Sequence, residues 1–295
     1  MRLSSIAPAA ASCAPEFSIT ENHLLAALPE SEQRQLEMSL ELVTLRAGQT
    51  LAGAGLAPVH VWFPLTCIVS MMCSSLNGGS AEVAVIGREG MVGFGMFIGG
   101  GSENSEAVAQ CSGFAYRIRM SLLKDCFNRS AAVREVLLQY LQSLLTQSSQ
   151  TALCNRHHTV EQQLCRWLLT AADRLGSGEL SVTQESIANT LGVRRAGITD
   201  AAGRLQREGM IRYRRGKIEL LDRTRLERHA CECYSVLRRE AQRLVRPAAA
   251  PTPVRRIWLQ SARPLQTPAA VPVPVPGPLP LEAKPDLGLR SANDA

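Results

Sequence analysis

Residues 183–205, followed at once by the basic segment 212–217, constrain the fold more than any other part of the chain. The first stretch has the pattern of two short helices joined by a tight turn. Ala188 is small where crossing helices come closest, and Gly192 can adopt the positive φ that the turn requires. The basic segment is typical of a hairpin. Together the two patterns predict a winged helix-turn-helix.

The second helix of this motif has two distinct faces. A buried stripe is predicted by the helical spacing of Ile198, Ala202 and Leu205. The opposite face carries Arg194, Arg195, Thr199, Asp200 and Gly203. Residues 194–217 contain eight Lys or Arg against two acidic residues, a density typical of a surface that neutralises phosphates. The pattern favours double-stranded DNA as the partner, and the alternative is a surface helical hairpin with a solvated charged face.

Charge is distributed unevenly along the 295 residues, which are enough for more than one domain. Residues 1–130 carry eight Lys or Arg and eleven Asp or Glu, whereas residues 131–295 carry 24 and 15. A polyanion would therefore meet the C-terminal half. The nine cysteines are odd in number and scattered, which favours reduced thiols over a disulfide framework. With no secretion signal or membrane segment evident, the sequence predicts a cytoplasmic protein without a membrane partner.

Both ends of the chain have the composition of disordered segments. Residues 1–20 are rich in Ala and Ser, and residues 247–295 form a tail rich in Pro and Ala. Such a tail favours extended polyproline conformations and cannot pack a core. It is either a docking segment for a partner or a solubilising extension.

Residues 21–129 predict an antiparallel β-roll after a short helical pair over 22–45. Short apolar runs at 59–63, 68–73, 82–86, 107–110 and 114–118 alternate with glycine-containing segments. The longest of these segments, 87–101, is rich in glycine but has no nucleoside-triphosphate loop pattern.

Residues 130–158 predict one long helix that pairs two copies of the chain. Its apolar residues recur every three or four positions, and the proposed dimer contacts are Leu137, Tyr140, Leu141, Leu144 and Leu145. A homodimer would present two recognition helices to successive major-groove faces, so the target would be an inverted repeat. The alternative is that this stripe packs against the roll of its own chain.

Residues 159–246 predict the DNA-binding domain. Thr159 and Gln162 form a capping box that opens its first helix. A second capping box, Thr224 with Glu227, predicts a single final helix that buries Leu226, Ala230, Cys233, Leu237 and Leu244.

The order of parts, with the motif formed by Thr183–Ala188 and Leu191–Arg195, resembles the Crp/Fnr family of bacterial transcription regulators. The ending Ala230–Tyr234 is similar to that of a subgroup of these regulators. The resemblance covers about 20–245 and implies an α+β fold: a cupin-like, cyclic-nucleotide-binding-like sensor roll, a long dimerisation helix and a C-terminal winged helix. It implies DNA-dependent control of transcription, with RNA polymerase as a further partner of an activator.

The recognition helix keeps only part of the family pattern. The resemblance places an arginine, a glutamate and a second arginine on this helix; here Arg195 matches the first, but Ala196 and Asp200 replace the others. Arg195 could contact a guanine, and Asp200 could accept from a cytosine amino group or pair with Arg204. The candidate base-reading residues are thus Arg195, Thr199 and Asp200, with Thr199 also a candidate phosphate contact. The other candidate phosphate contacts are Arg194, Arg204, Arg212, Arg214, Arg215 and Lys217.

The sensor roll departs further from the family. Cyclic-nucleotide members use a glutamate for the ribose and an Arg-Ser pair for the phosphate, and neither is present here. Glu103 and Glu106 would repel a phosphate, so cyclic AMP is not expected. The positions that remain as effector-pocket candidates are Gly93, Phe94, Gly95, Ser105 and Glu106.

No cofactor is expected from the cysteines and histidines. The iron-sulfur members need clustered N-terminal cysteines, and Cys13 stands alone there. Cys231 and Cys233 are expected on a helix, where their spacing would splay the thiols apart, so shared metal ligation is not expected. The adjacent pair His157 and His158 could sense a metal or pH, but neighbours on a helix do not face one site, so a solvated pair is expected.

The sequence favours a dimeric DNA-binding regulator over the other function classes. The alternative is a regulatory binding module, dependent on a ligand or partner, whose degenerate roll and tail mediate protein interaction. An enzyme is not expected, because no spacing singles out a nucleophile with its base or a carboxylate pair.

Overall fold

The computed structural model describes residues 16–245. Most of the two segments predicted to be disordered, together with Cys13, lies outside the described residues. The N-terminal prediction was too long, because residues 16–20 already belong to the fold. Ile19 is buried in the core, and the hydroxyl of Tyr116 donates a hydrogen bond to the carbonyl of Phe17.

The N-terminal part of the described chain is an antiparallel roll, as predicted. Its elements are α1 (His23–Ala26), α2 (Glu30–Glu37), β1 (Glu41–Leu45), β2 (Thr50–Ala52), β3 (His60–Pro64), β4 (Val69–Ser74), β5 (Ser80–Ile86), β6 (Glu106–Ala109) and β7 (Gly113–Arg119). The strands form two sheets, ordered β1-β7-β3 and β2-β6-β4-β5. Leu45, Phe63 and Met71 are among the largest fully buried side chains.

The helical pair predicted over 22–45 is shorter than expected. Its second helix ends at Glu37, and residues 41–45 form β1, which pairs with β7 in the register Glu41↔Arg117. Val43 and Thr44 are β-branched and favour a strand. The prediction was too long because Leu36 and Leu40 have helical spacing, although the chain changes from helix to strand between Glu37 and Glu41.

Two helices follow the roll: α3 (Met120–Arg129) and α4 (Ala131–His157). With 27 residues, α4 is about 40 Å long. Ser130 caps it by accepting a hydrogen bond from the backbone N–H of Val133. No helix among residues 16–245 combines the length and apolarity needed to cross a membrane.

The apolar stripe of α4 packs on the roll of its own chain. Leu137, Tyr140, Leu141 and Leu144 are buried within one protomer, whereas Leu145 is 65% exposed. The Tyr140 hydroxyl donates to the carbonyl of Met91 at 2.7 Å, and burial raises the pKa of this phenol, which keeps it a donor. Four of the five predicted dimer contacts were therefore wrong, because the roll covers the more apolar face of the helix.

The C-terminal part is a winged helix-turn-helix with two further helices. Its elements are α5 (Val160–Leu175), β8 (Glu179–Ser181), α6 (Gln184–Leu191), α7 (Arg195–Arg207), β9 (Ile211–Arg214), β10 (Lys217–Leu220), α8 (Arg223–His229) and α9 (Glu232–Val245). The capping box at Thr159 is confirmed: its side chain accepts from the N–H of Gln162, whose side chain reaches back to the N–H of Thr159. The three strands pair in the order β8-β10-β9.

The single final helix predicted from Thr224 is wrong. The cap is Asp222, whose side chain accepts from the N–H of Arg225 at 2.9 Å. The chain then leaves helical geometry at Ala230, which has ψ 152°, before α9 begins. Cys231 precedes α9, and the expected splaying of its thiol from that of Cys233 does not occur.

Candidate DNA-binding interface

The turn between α6 and α7 has the geometry that its sequence demands. Thr183 caps α6 by accepting from the N–H of Ser186 at 3.1 Å. Gly192 adopts φ 66° at the end of α6, a conformation that costs an L side chain free energy and glycine very little. The N–H of Val193 then donates to the carbonyl of Ala188 at 3.0 Å. This geometry fixes the direction in which α7 leaves the turn.

The two faces of α7 are those that the sequence predicts. Ile198, Ala202 and Leu205 are buried, and they anchor the helix on its domain. The opposite face is exposed at Arg194, Arg195, Thr199, Asp200 and Gly203. Within the described residues, neither Arg194 nor Arg195 forms an ion pair with an acidic side chain.

The polar residues on the exposed face differ in what they already bind. The hydroxyl of Thr199 donates to the side-chain oxygen of Gln184 at 2.9 Å, so it ties α7 to α6. The predicted pair between Asp200 and Arg204 is wrong, because Arg204 lies 2.6 Å from the carboxylate of Glu161. Asp200 makes no ion pair among the described residues, so its carboxylate is available to a ligand.

The candidate phosphate contacts fall into two groups. Arg204, Arg212 and Lys217 form ion pairs with Glu161, Glu219 and Glu179 at 2.6, 2.7 and 2.7 Å. The hydrogen bond that the Lys217 ammonium donates to Glu179 raises the pKa of that ammonium. Exposed ion pairs of this kind contribute about 0–1 kcal/mol, so phosphates can replace the carboxylates at small cost. Arg194, Arg214 and Arg215 make no ion pair in the described part of the chain.

The wing places Arg215 at its tip. Strands β9 and β10 pair in the register Arg214↔Lys217, which leaves Arg215 and Gly216 as a two-residue turn. Both have positive φ, 48° and 79°, as a type I′ turn requires. The short turn therefore holds a cationic side chain away from the domain.

The roll directly contacts α6. The hydroxyl of Ser186 donates to the side-chain oxygen of Gln110 at 2.6 Å. A Cβ placed on Gly192 would lie 3.5 Å from Cβ of Ala81. A cleft of about 410 Å³ follows this junction and is lined from both sides, by Glu106 and Val108 on β6 and by Glu185 and Asn189 on α6. A change in the roll can therefore reach the helix-turn-helix through direct contact.

The glycine-rich loop of the roll is closed by a carboxylate of its own chain. Glu103 is 1% exposed and accepts a hydrogen bond from the N–H of Gly95 at 2.8 Å. Burial raises the pKa of this carboxyl. Of the pocket candidates, Gly93, Gly95 and Ser105 are buried, Phe94 is half-buried, and Glu106 accepts from the Thr50 hydroxyl at 2.9 Å.

A buried polar network joins the roll, α4 and α5, and sequence reasoning missed it. Arg174 forms an ion pair with Glu89 at 2.8 Å and donates to the side chain of Gln147 and the carbonyl of Val85. Near it, Glu82 is buried, which raises the pKa of its carboxyl, and it accepts from the Ser70 hydroxyl.

A signal for this network existed in the sequence. Gln163, Arg166, Thr170 and Arg174 recur every three or four residues along α5, and all four are buried. Such a polar stripe on a helix that is also apolar elsewhere indicates a helix enclosed on several sides.

The chain belongs to the class of winged helix-turn-helix proteins. It combines an antiparallel roll, a long helix and a winged helix-turn-helix with an exposed cationic face. Residues 162–229 match the family model of the Crp-like helix-turn-helix domain. The resemblance to Crp/Fnr transcription regulators is thus confirmed, in the domain sequence and in the fold.

Three solved structures illustrate the likeness of fold. FixK2 from Bradyrhizobium japonicum has a TM-score of 0.57 at 18% identity, covering 65% of this chain and 98% of that one. A candidate regulator of the Crp/Fnr family from Eubacterium rectale gives 0.55 at 19%, covering 71% and 98%. A CRP-family transcriptional regulator from Thermus thermophilus gives 0.54 at 16%, covering 64% and 96%. No curated protein sequence matches the chain.

Proposed function

We propose that the chain is a homodimeric regulator of transcription that binds an inverted-repeat DNA operator. The observation that carries this proposal is the start of α7, where Arg194 and Arg195 are exposed and unpaired within the described residues. Ile198 lies buried below them. An arginine held in this way offers a planar pair of donors to the acceptor edge of guanine in the major groove. Asp200, one turn further on, offers an acceptor to a cytosine amino group.

The proposed dimer contact is a second face of α4, beside the face that packs on the roll. Leu138 and Leu145 are 48% and 65% exposed, and they lie one heptad apart. The same repeat places Ala131 and Ala152 before and after them, also exposed. Apolar residues that recur every seven positions form one narrow exposed stripe along a long helix, which a second helix can cover. We expect a second copy of the chain to cover this seam.

The test is a selection of bound genomic fragments with the purified full-length protein and no added effector. We expect an inverted repeat whose half-sites are about 34–36 Å apart, one turn of DNA. The matched control is the double variant Arg194→Ala and Arg195→Ala, which should enrich no motif. If the protein enriches a single unrepeated half-site, the dimer is wrong. If it enriches nothing under these conditions, the protein does not bind DNA without an effector. The alternative of a regulatory module that depends on a ligand or partner then takes its place.

The roll is proposed not to respond to cyclic AMP. Glu103 already accepts from the N–H of Gly95, and a phosphate entering this loop would meet its buried charge in a low-dielectric site. We therefore expect no heat of binding when cyclic AMP is titrated into the protein. Saturable binding would contradict this part of the proposal without affecting DNA recognition.

The ligand- or partner-dependent module remains the second candidate because of the cleft between β6 and α6. A molecule that entered this cleft of about 410 Å³ would touch the sensor roll and the helix-turn-helix together. It would therefore favour the arrangement of the two domains that it contacts best, as a regulatory ligand must.

A further inference from the structure

Four side chains with metal-ligating atoms converge where the end of α4 meets the break between α8 and α9. Cys154 and His158 lie one turn apart at the end of α4, and Cys231 and Cys233 flank the start of α9. The three sulfur atoms and the imidazole nitrogen all lie within 4.8 Å of one another. The three cysteines are buried. Only Cys233 lies on α9, so the splaying expected of two thiols on one helix does not apply.

The distances fit a single tetrahedral ion. The Sγ atoms of Cys154 and Cys231 are 3.6 Å apart, and Sγ of Cys233 is 3.6 Å from Nδ1 of His158. Bonds of about 2.3 Å to sulfur and about 2.0–2.1 Å to nitrogen, arranged tetrahedrally, require separations of about 3.8 and 3.6 Å. A disulfide would need sulfur atoms only about 2.05 Å apart. Two of the six separations therefore already have the values of a tetrahedral metal site, and the other four lie within 4.8 Å.

The surroundings orient and balance this cluster. Nε2 of His158 lies 3.3 Å from a carboxylate oxygen of Glu232, while Nδ1 faces Sγ of Cys233. A carboxylate behind a ligating histidine is the usual support of such a ligand. Arg166 is 2% exposed, and it lies close enough to Cys154 for its charge to act on that thiol. Three thiolates with one divalent ion carry one net negative charge, which this buried guanidinium would offset.

We propose that Cys154, His158, Cys231 and Cys233 bind one zinc ion. Mixed thiolate and imidazole ligands in a tetrahedron suit zinc, and four protein ligands leave no open position, so the site is structural rather than catalytic. An iron-sulfur cluster sits between its ligands and holds them farther apart than these four are held. On binding, the three thiols release three protons to solvent and the sulfur atoms donate to the ion.

The proposed ion connects two parts of the molecule that are distant in sequence. It joins the end of α4, the helix that carries the proposed dimer seam, to the break between α8 and α9. Such a link fixes the angle at which each DNA-binding domain leaves the dimer. Zinc binding is measured independently of DNA binding, so loss of one proposal leaves the other standing.

The experiment uses the full-length protein without a polyhistidine tag, purified with reductant and without chelator. We expect elemental analysis to give about one zinc ion per protomer. Replacement by Co²⁺ should produce thiolate charge-transfer bands and the strong visible absorption of a tetrahedral site. Cys231→Ser and Cys154→Ser should lower the zinc content at least ~10-fold. Cys126→Ser, a buried cysteine on α3, is the matched control and should keep the ion.

One further variant keeps the test decisive if a serine variant fails to fold. His158→Cys should retain one ion and shift the cobalt spectrum toward that of four sulfur ligands. Stripping the zinc should lower the melting temperature of the wild-type protein and leave that of Cys231→Ser unchanged. Protein that stays metal-free in excess zinc overturns the proposal. So does equal zinc content in the Cys231→Ser and Cys126→Ser variants, or a stable disulfide between Cys154 and Cys231 that excludes the metal.

Discussion

The winged helix exposes its charged side chains to solvent, whereas the glycine-rich loop of the roll buries a carboxylate, that of Glu103. Arg194 and Arg195 are exposed at the start of α7. In the roll, Glu103 is buried against the N–H of Gly95. The cationic start of α7 is therefore open to solvent, whereas the loop of the roll is filled by a carboxylate of its own chain. This difference supports the proposal that the chain binds DNA without a ligand in the roll.

The same contrast exists between the two faces of α4. One face packs on the roll and holds Tyr140 by its hydroxyl, while the other exposes Leu138 and Leu145. Burial inside the protomer has removed the more apolar stripe from any dimer contact. The less apolar stripe is therefore the face on which we propose that the chain dimerises.

The largest expected effect comes from Leu145→Glu. A charge at the centre of the seam would have to be buried unpaired in the dimer, which costs several kcal/mol. Because each half-site would then bind alone, operator affinity should fall by roughly 100-fold or more. Gel filtration and titration of labelled operator measure the two effects. Leu56→Glu is the matched control, with the same 65% exposure on the roll. A dimer that survives Leu145→Glu would contradict the seam.

A smaller effect is expected from Arg195→Ala. Loss of a bidentate contact to one base should weaken operator binding by about 1–3 kcal/mol and relax the preference at one base pair in each half-site. Competition among operators mutated at single positions measures both quantities. Arg46→Ala, exposed on the roll, should change neither. An equal loss on all sequences would show that Arg195 contacts phosphate instead.

The wing separates cations that are free from cations that are paired. Lys217→Ala should weaken binding to every sequence and reduce the salt slope by about one. Arg215→Ala should weaken binding more at low salt, because Lys217 must first exchange Glu179, 2.7 Å away, for a phosphate. Titrations at several salt concentrations test the order. An unchanged slope for both variants would exclude the wing from the interface.

The helix-turn-helix could be predicted because it depends on local patterns. The contacts between residues far apart in sequence could not be predicted. The turn at Gly192, the buried stripe from Ile198 to Leu205 and the capping box at Thr159 depend on residues close in sequence. The pairing of Arg204 with Glu161 spans 43 positions, and no spacing rule contains it. The cluster around Cys231 was missed because the backbone leaves helical geometry at Ala230, before the first thiol, and no local pattern predicted that break.

The smallest expected effect tests the closed loop of the roll. Burial raises the pKa of Glu103 in the folded protein, so the folded state binds its proton more tightly than the unfolded state does. Between the ordinary carboxyl pKa and this raised value, stability must fall as pH rises. Glu103→Gln keeps an oxygen for the N–H of Gly95 and removes the titration. Its melting temperature should therefore match that of the wild type in acid and exceed it slightly at neutral pH, as calorimetry at several pH values would measure.

Glu103→Ala, which leaves the N–H of Gly95 unbonded, should be less stable than the glutamine variant at every pH. A constant difference between wild type and Glu103→Gln would show that the carboxyl is not held in a desolvated site, and the loop would be open to a phosphate after all.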